Sequence, residues 1–173
     1  MKLIKGYLII FLLIIFILLL GVNIAINLSE EKLIIPRFTL KEDPLNTLNY
    51  IQVKLDVFPD GIVLSQDCQG IIMNTHILQT SSIASGVKKE IEIRPNSHDL
   101  MKEMLDQFNL QLKMVKIERM EDGIYYADII LGSNNKIINL DSKPSDAIAL
   151  AVRSNVPVYV KNDLFNNIKQ NVC

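Results

Sequence analysis

His98, Asp99, Asp141, Ser145 and Asp146 are the side chains whose types and spacing suit them to chemistry. They lie in two short segments. Asp141-Ser-Lys-Pro-Ser-Asp-Ala-Ile-Ala-Leu-Ala-Val-Arg153 carries Asp141, Ser145 and Asp146, and Arg94-Pro-Asn-Ser-His-Asp-Leu100 carries His98 and Asp99. Hydroxyls and carboxylates gathered this way can build a polar site. An imidazole titrates near neutrality, so His98 can serve as a ligand or move a proton. The plainer reading is capping, since such side chains at a first helical turn accept its free backbone N–H groups.

Each segment reads as a join into a helix. Pro144 suits a first helical turn, where its missing N–H is not needed. Ser142, Ser145 and Asp146 crowd that turn, and the helix continues as Ala147, Ile148, Ala149, Leu150, Ala151 and Val152. Small residues on several faces suggest tight packing into a body. In the other segment Met101, Met104, Leu105 and Phe108 follow helical spacing, with Lys102, Glu103 and Asp106 off the stripe. Asn96 or Ser97 can cap this helix, and Asp99 falls in its first turn, where the helix dipole favours an anion.

The chain has 173 residues. From Gly6 to Ser29 no residue is charged, which is 24 residues and enough for a membrane span of about 20. Lys2 and Lys5 precede the run; Glu30 and Glu31 follow it. The positive-inside rule then predicts a single-pass signal-anchor, with its N-terminus cytoplasmic and the domain outside the cytoplasm. A cleaved signal peptide is the alternative, but its apolar core is shorter, about 7–15 residues. Residues 1–29 are read as the membrane anchor, 30–48 as a Pro-containing linker, 49–168 as the folded domain and 169–173 as a tail.

Without Lys2 and Lys5, 16 basic residues face 19 acidic ones. No basic stripe of the kind that drives nucleic-acid binding shows in that balance, though a local patch is compatible with it. Cys68 and Cys173 can pair in an extracytoplasmic domain, but Cys173 is expected on a loose tail. No zinc spacing, Gly-rich phosphate loop or hydrolase nucleophile motif is present.

The chain also repeats itself. Val53-Lys-Leu-Asp-Val-Phe-Pro-Asp-Gly-Ile62 matches Val115-Lys-Ile-Glu-Arg-Met-Glu-Asp-Gly-Ile124 at five of ten positions, each with Asp-Gly as a hairpin signal. Further on, Ser82–Val87 resembles Ala147–Val152. Strands are predicted near 50–57, 62–66 and 70–75, then near 111–119, 124–131 and 136–141. Helices follow near 78–87 and 144–153, and helix 98–109 joins the halves. A strand at 156–160 and a short helix at 163–169 complete the prediction. The fold class is α+β, a duplicated β-β-β-α unit on largely antiparallel sheet that could close into a barrel. Because Ser145 and Asp146 align with Thr80 and Ser81, any site is expected in the second half.

Together, the Arg-Pro-x-x-His-Asp-Leu and Asp-x-x-Pro-Ser-Asp-Ala-Ile-Ala-Leu-Ala-x-Arg segments, with Asp122-Gly-Ile-Tyr-Tyr-Ala127 between them, resemble the bifunctional nuclease (BFN) domain family. The resemblance covers about Tyr50 to Phe165. It departs from the family pattern before the first helix, where His76, Gln79 and Thr80 replace a Gly and a Glu-Ala pair. The resemblance implies nuclease activity on RNA and DNA. Carboxylates repel phosphates unless a hard cation lies between them, so that activity implies Mg²⁺ or Mn²⁺ on Asp141 and Asp146, with Ser145 nearby. His98 would act as general base or acid beside Asp99, and Arg94 or Arg153 would clamp a phosphate.

Two functions compete. One is a membrane-anchored, metal-dependent nuclease with nucleic acid as partner. The other is a non-catalytic extracytoplasmic binding or assembly module, which the net acidity and the anchor favour. A homo-oligomer is compatible with either.

Overall fold

Val115 and Ile117 alternate with Lys116, and Ala127, Ile129 and Leu131 alternate with Asp128 and Ile130. The period of two puts one apolar row of each strand on a common core face. A computed structural model of the chain describes residues 15–17, 43–133 and 136–173. The chain divides into two compact units, 1–40 and 41–173. The expected anchor and most of the expected linker lie outside the described residues, apart from a helical Ile15–Ile17. Among the described residues no helix is long and apolar enough to cross a membrane.

The second unit runs β1 (Tyr50–Phe58), β2 (Gly61–Gln66), β3 (Gln69–Asn74), α1 (Ile77–Lys88), α2 (Ser97–Gln107), β4 (Gln111–Glu121), β5 (Ile124–Ser133), β6 (Lys136–Ser142), α3 (Pro144–Ser154), β7 (Val158–Lys161), α4 (Asn162–Ile168) and β8 (Gln170–Asn171). The β-β-β-α order occurs twice. The eight strands form one sheet in the order β6-β5-β4-β7-β1-β2-β3-β8. Every pairing is antiparallel except β4 with β7.

The sheet does not close into the barrel that the sequence allows. Its end strands, β6 and β8, each pair on one side only. One sheet face is instead covered by helices. Ala147, Ile148, Ala149, Leu150 and Ala151 of α3 are all buried, in one core with Val115, Ile117, Ala127, Ile129 and Leu131. Alanines let α3 approach the strands closely.

The two hairpins differ where the sequence makes them look alike. Asp122 (φ 51°) and Gly123 (φ 78°) form a two-residue turn with both residues left-handed, the geometry that Asp-Gly favours. The first hairpin turns at Pro59 and Asp60, and Gly61 already lies in β2, opposite Phe58. A Cβ on Gly61 would sit 2.8 Å from the Met73 carbonyl oxygen. Gly61 is therefore a close-approach glycine, not the equivalent of Gly123. The slip arises in β4, which carries two extra residues: Lys113, between the Leu112–Leu131 and Met114–Ile130 pairs, and Glu118, between the Ile117–Ala127 and Arg119–Tyr126 pairs.

Two further expectations change. Of the α2 stripe, Leu105 packs on the core, whereas Met101, Met104 and Phe108 are exposed. The helix sits at the rim of the domain and buries no residue fully. The last residues are not a loose tail. β8 pairs with Gln69 and Gly70, the Val172 N–H donates to the Cys68 carbonyl at 3.1 Å, and Cys68 and Cys173 form a disulfide.

Candidate functional site

Asn96 sets the start of α2 through a capping box. Its Oδ1 accepts from the backbone N–H groups of His98 (2.9 Å) and Asp99 (3.1 Å), and Asp99 Oδ2 accepts from the Asn96 N–H at 2.9 Å. The arrangement turns the side chains of His98 and Asp99 towards α3. On α3, Asp146 and Arg153 are seven residues apart, two turns along one face. His98 meets the first and Asp99 the second.

His98 Nε2 lies 3.4 Å from Asp146 Oδ1, and His98 Nδ1 lies 2.9 Å from Ser82 Oγ of α1. Arg153 Nε donates to Asp99 Oδ1 at 2.6 Å. Its Nη1 donates to the carbonyls of Ala149 (2.9 Å) and Ser82 (3.1 Å), and its Nη2 to Ser82 Oγ (3.3 Å) and Asn96 Oδ1 (3.4 Å). A guanidinium has five N–H donors, and all five are used. Side-chain exposure is 6% for Arg153, 12% for Asp99 and 14% for His98, but 42% for Asp146. The Asp99–Arg153 pair is closed to a ligand, and the Asp146 end is open.

Burial alone would raise the Asp99 pKa. The hydrogen bond from Arg153, the Asn96 N–H and the Arg153 charge outweigh that, so the carboxyl sits below its ordinary value. Asp99 is held ionised as the counter-charge of Arg153.

Residues 61–172 match the family described as the bifunctional nuclease domain. The chain belongs to the bifunctional nuclease domain family. An uncharacterised protein of Mycobacterium tuberculosis is 38% identical over 68 residues, covering 39% of this chain and 40% of that protein. Bifunctional nuclease 1 of Oryza sativa subsp. japonica is 32% identical over 114 residues, covering 62% of this chain and 34% of that protein. Bifunctional nuclease 1 of Arabidopsis thaliana is 26% identical over 111 residues, covering 61% and 34%. The chain thus spans two fifths or less of the length of these relatives.

Within this bifunctional nuclease domain, His98, Asp99, Asp146 and Arg153 come together as one cluster; Arg94, Asp141 and Ser145 do not join it. Arg94 is exposed in the loop before α2 and makes no hydrogen bond or ion pair among the described residues. Arg153, expected as a phosphate clamp, has no free N–H to offer. Asp141 is paired in register with Asp128, which is paired with Lys116. Directly opposed residues share a sheet face, so Asp141 lies on the face away from the helices. The two expected metal ligands, Asp141 and Asp146, are therefore not neighbours. Among the described residues no three His, Cys, Asp or Glu side chains lie close enough to hold a metal ion together. The ligand pair expected for Mg²⁺ or Mn²⁺ is thus not assembled by Asp141 and Asp146.

The expected capping at α3 is also absent. Lys143 is the N-cap residue and no side chain caps the helix. Ser142 Oγ donates to the Lys143 carbonyl, Ser145 makes no side-chain hydrogen bond among the described residues, and Asp146 turns to His98. Ser82 is the residue the sequence reading missed. Its signal was available: where the second copy has Ala147, the first has a hydroxyl on the matching helix face.

Proposed function

We propose that this chain is a nuclease of the bifunctional nuclease domain family, with the His98–Asp146 pair as its proton-handling group. Family membership supports the class of reaction, and the named plant relatives are described as bifunctional nucleases. The observation that carries the site is the contact between an imidazole and a partly exposed carboxylate at the uncapped start of α3. Phosphodiester hydrolysis removes a proton from the attacking water and returns one to the leaving oxygen. A histidine held behind an accessible carboxylate can serve that exchange. In the α3 first turn Pro144 carries no N–H, and Asp146 and Ala147 donate theirs to the Lys143 carbonyl, so the Ser145 N–H is the one donor that this turn offers to a phosphate oxygen among the described residues.

A membrane anchor in residues 6–29, with the domain outside the cytoplasm, completes the reading. The uncharged run and the Cys68–Cys173 disulfide support it, since disulfides persist mainly in oxidising compartments. Added protease should then degrade the domain in intact spheroplasts, and full protection would reverse the topology.

The second reading is a non-catalytic binding or assembly module, self-association included. The full use of Arg153 within the fold and the exposed Met101, Met104 and Phe108 favour it. One assay separates the two. Purified full chain is incubated with RNA and with single- and double-stranded DNA, with and without EDTA. The nuclease reading expects cleavage that Asp146→Asn and His98→Gln each lower about 100-fold or more. No cleavage under any condition gives the second reading. The EDTA arm tests the Mg²⁺ or Mn²⁺ expectation.

A further inference from the structure

Neutral histidine carries one ring proton, and the partners of its two nitrogens decide where it sits. Here the partners are unlike. Nε2 faces Asp146 Oδ1, and an ionised carboxylate can only accept. Nδ1 faces the Ser82 hydroxyl, which can donate or accept. The Ser82 oxygen already accepts from Arg153 Nη2. Its own hydrogen has one acceptor within reach among the described residues, and that acceptor is His98 Nδ1.

We infer that Ser82 is a positioning residue that holds the proton of neutral His98 on Nε2. His98 then meets Asp146 and any substrate as a hydrogen donor, and Asp146 is the proton-accepting member of the pair. The chain Arg153–Ser82–His98–Asp146 runs from a closed interior to an open carboxylate, each group donating to the next. Arg153 acts at a distance in this scheme: it occupies one side of the Ser82 oxygen and so aims the hydroxyl at the ring. Asn96 joins the same network, capping α2 and accepting from Arg153 Nη2. The assignment of roles rests on the nuclease reading; the position of the proton does not.

The experiment is nitrogen-15 NMR of the full chain with labelled histidine, at a pH where His98 is neutral. His76 and His98 are the only histidines, so a His98→Gln spectrum assigns the signals. The parent should show Nε2 protonated and Nδ1 unprotonated in His98. Asp146→Ala should keep that state, because Ser82 still donates to Nδ1. Adding Ser82→Ala should convert it to the tautomer mixture of a free imidazole. Asp146→Ala with Ser82→Thr, which keeps a hydroxyl, should restore the single tautomer, and this variant controls for a loss of fold. A proton on Nδ1 in the parent overturns the inference, as does a mixture already present in Asp146→Ala. A correct tautomer in a chain that cleaves no nucleic acid would sink the nuclease reading and leave this one standing.

Discussion

Asp99 and Arg153 form an ion pair across 2.6 Å in which both side chains are nearly closed to solvent. The pair ties the start of α2 to the end of α3. Desolvating two charges is costly, so a buried pair adds little net stability against an apolar isostere. Losing one partner is different, because it strands the other charge. Arg153→Leu should destabilise the domain by about 3–5 kcal/mol, read from urea unfolding. A loss below about 1 kcal/mol would mean that water reaches Asp99.

The same pair sets a pH dependence. The folded Asp99 pKa lies below its ordinary value of 3.8. Its contribution is then fully present above that value and is lost as pH falls through the folded pKa. Parent protein should lose stability on acidification below about pH 4, and Asp99→Asn should show a shallower loss there. Parallel pH curves for the two proteins would contradict the assignment.

Gly86 marks where α1 crosses α3. A Cβ there would stand 2.6 Å from Val152 Cγ2 and 2.8 Å from Arg153 Nη1. Alanine favours a helix interior by about 1 kcal/mol over glycine. The clash opposes that gain, because the Arg153 tip is pinned by its hydrogen bonds. Gly86→Ala is expected to destabilise by about 1–3 kcal/mol, and a stabilised variant would show that the helices part freely.

The Cys68–Cys173 disulfide closes a loop with a sequence separation of 105. Under the chain-entropy account, a loop of that length contributes about 4–5 kcal/mol. Cys68→Ser should lower the urea midpoint and release β8, making the last residues the first site of proteolysis. Equal protease resistance of the two proteins would count against a structural role for the bridge.

The sequence by itself determined the local elements. The internal repeat and its Asp-Gly signals located β1 to β6, helical spacing and Pro144 located α2 and α3, and Asp122-Gly123 produced the left-handed turn that those residue types favour. These signals act between residues a few positions apart, so the neighbours are enough to reveal them. The two polar joins at helix starts, which supply His98, Asp99 and Asp146, were also legible. Tertiary structure decided the rest. β7 inserts between the two copies, so that Val158 faces both Val53 and Val115, and the sheet stays open. β8 was missed because a two-residue strand has no periodicity to read. Ser82 reaches His98 across 16 positions, and Arg153 reaches Asp99 across 54 and Ser82 across 71. Which acidic residue stays open, which arginine is used up and which face Asp141 takes all follow from how helices and strands pack together. Packing brings together residues that are remote in sequence, and no local spacing records it.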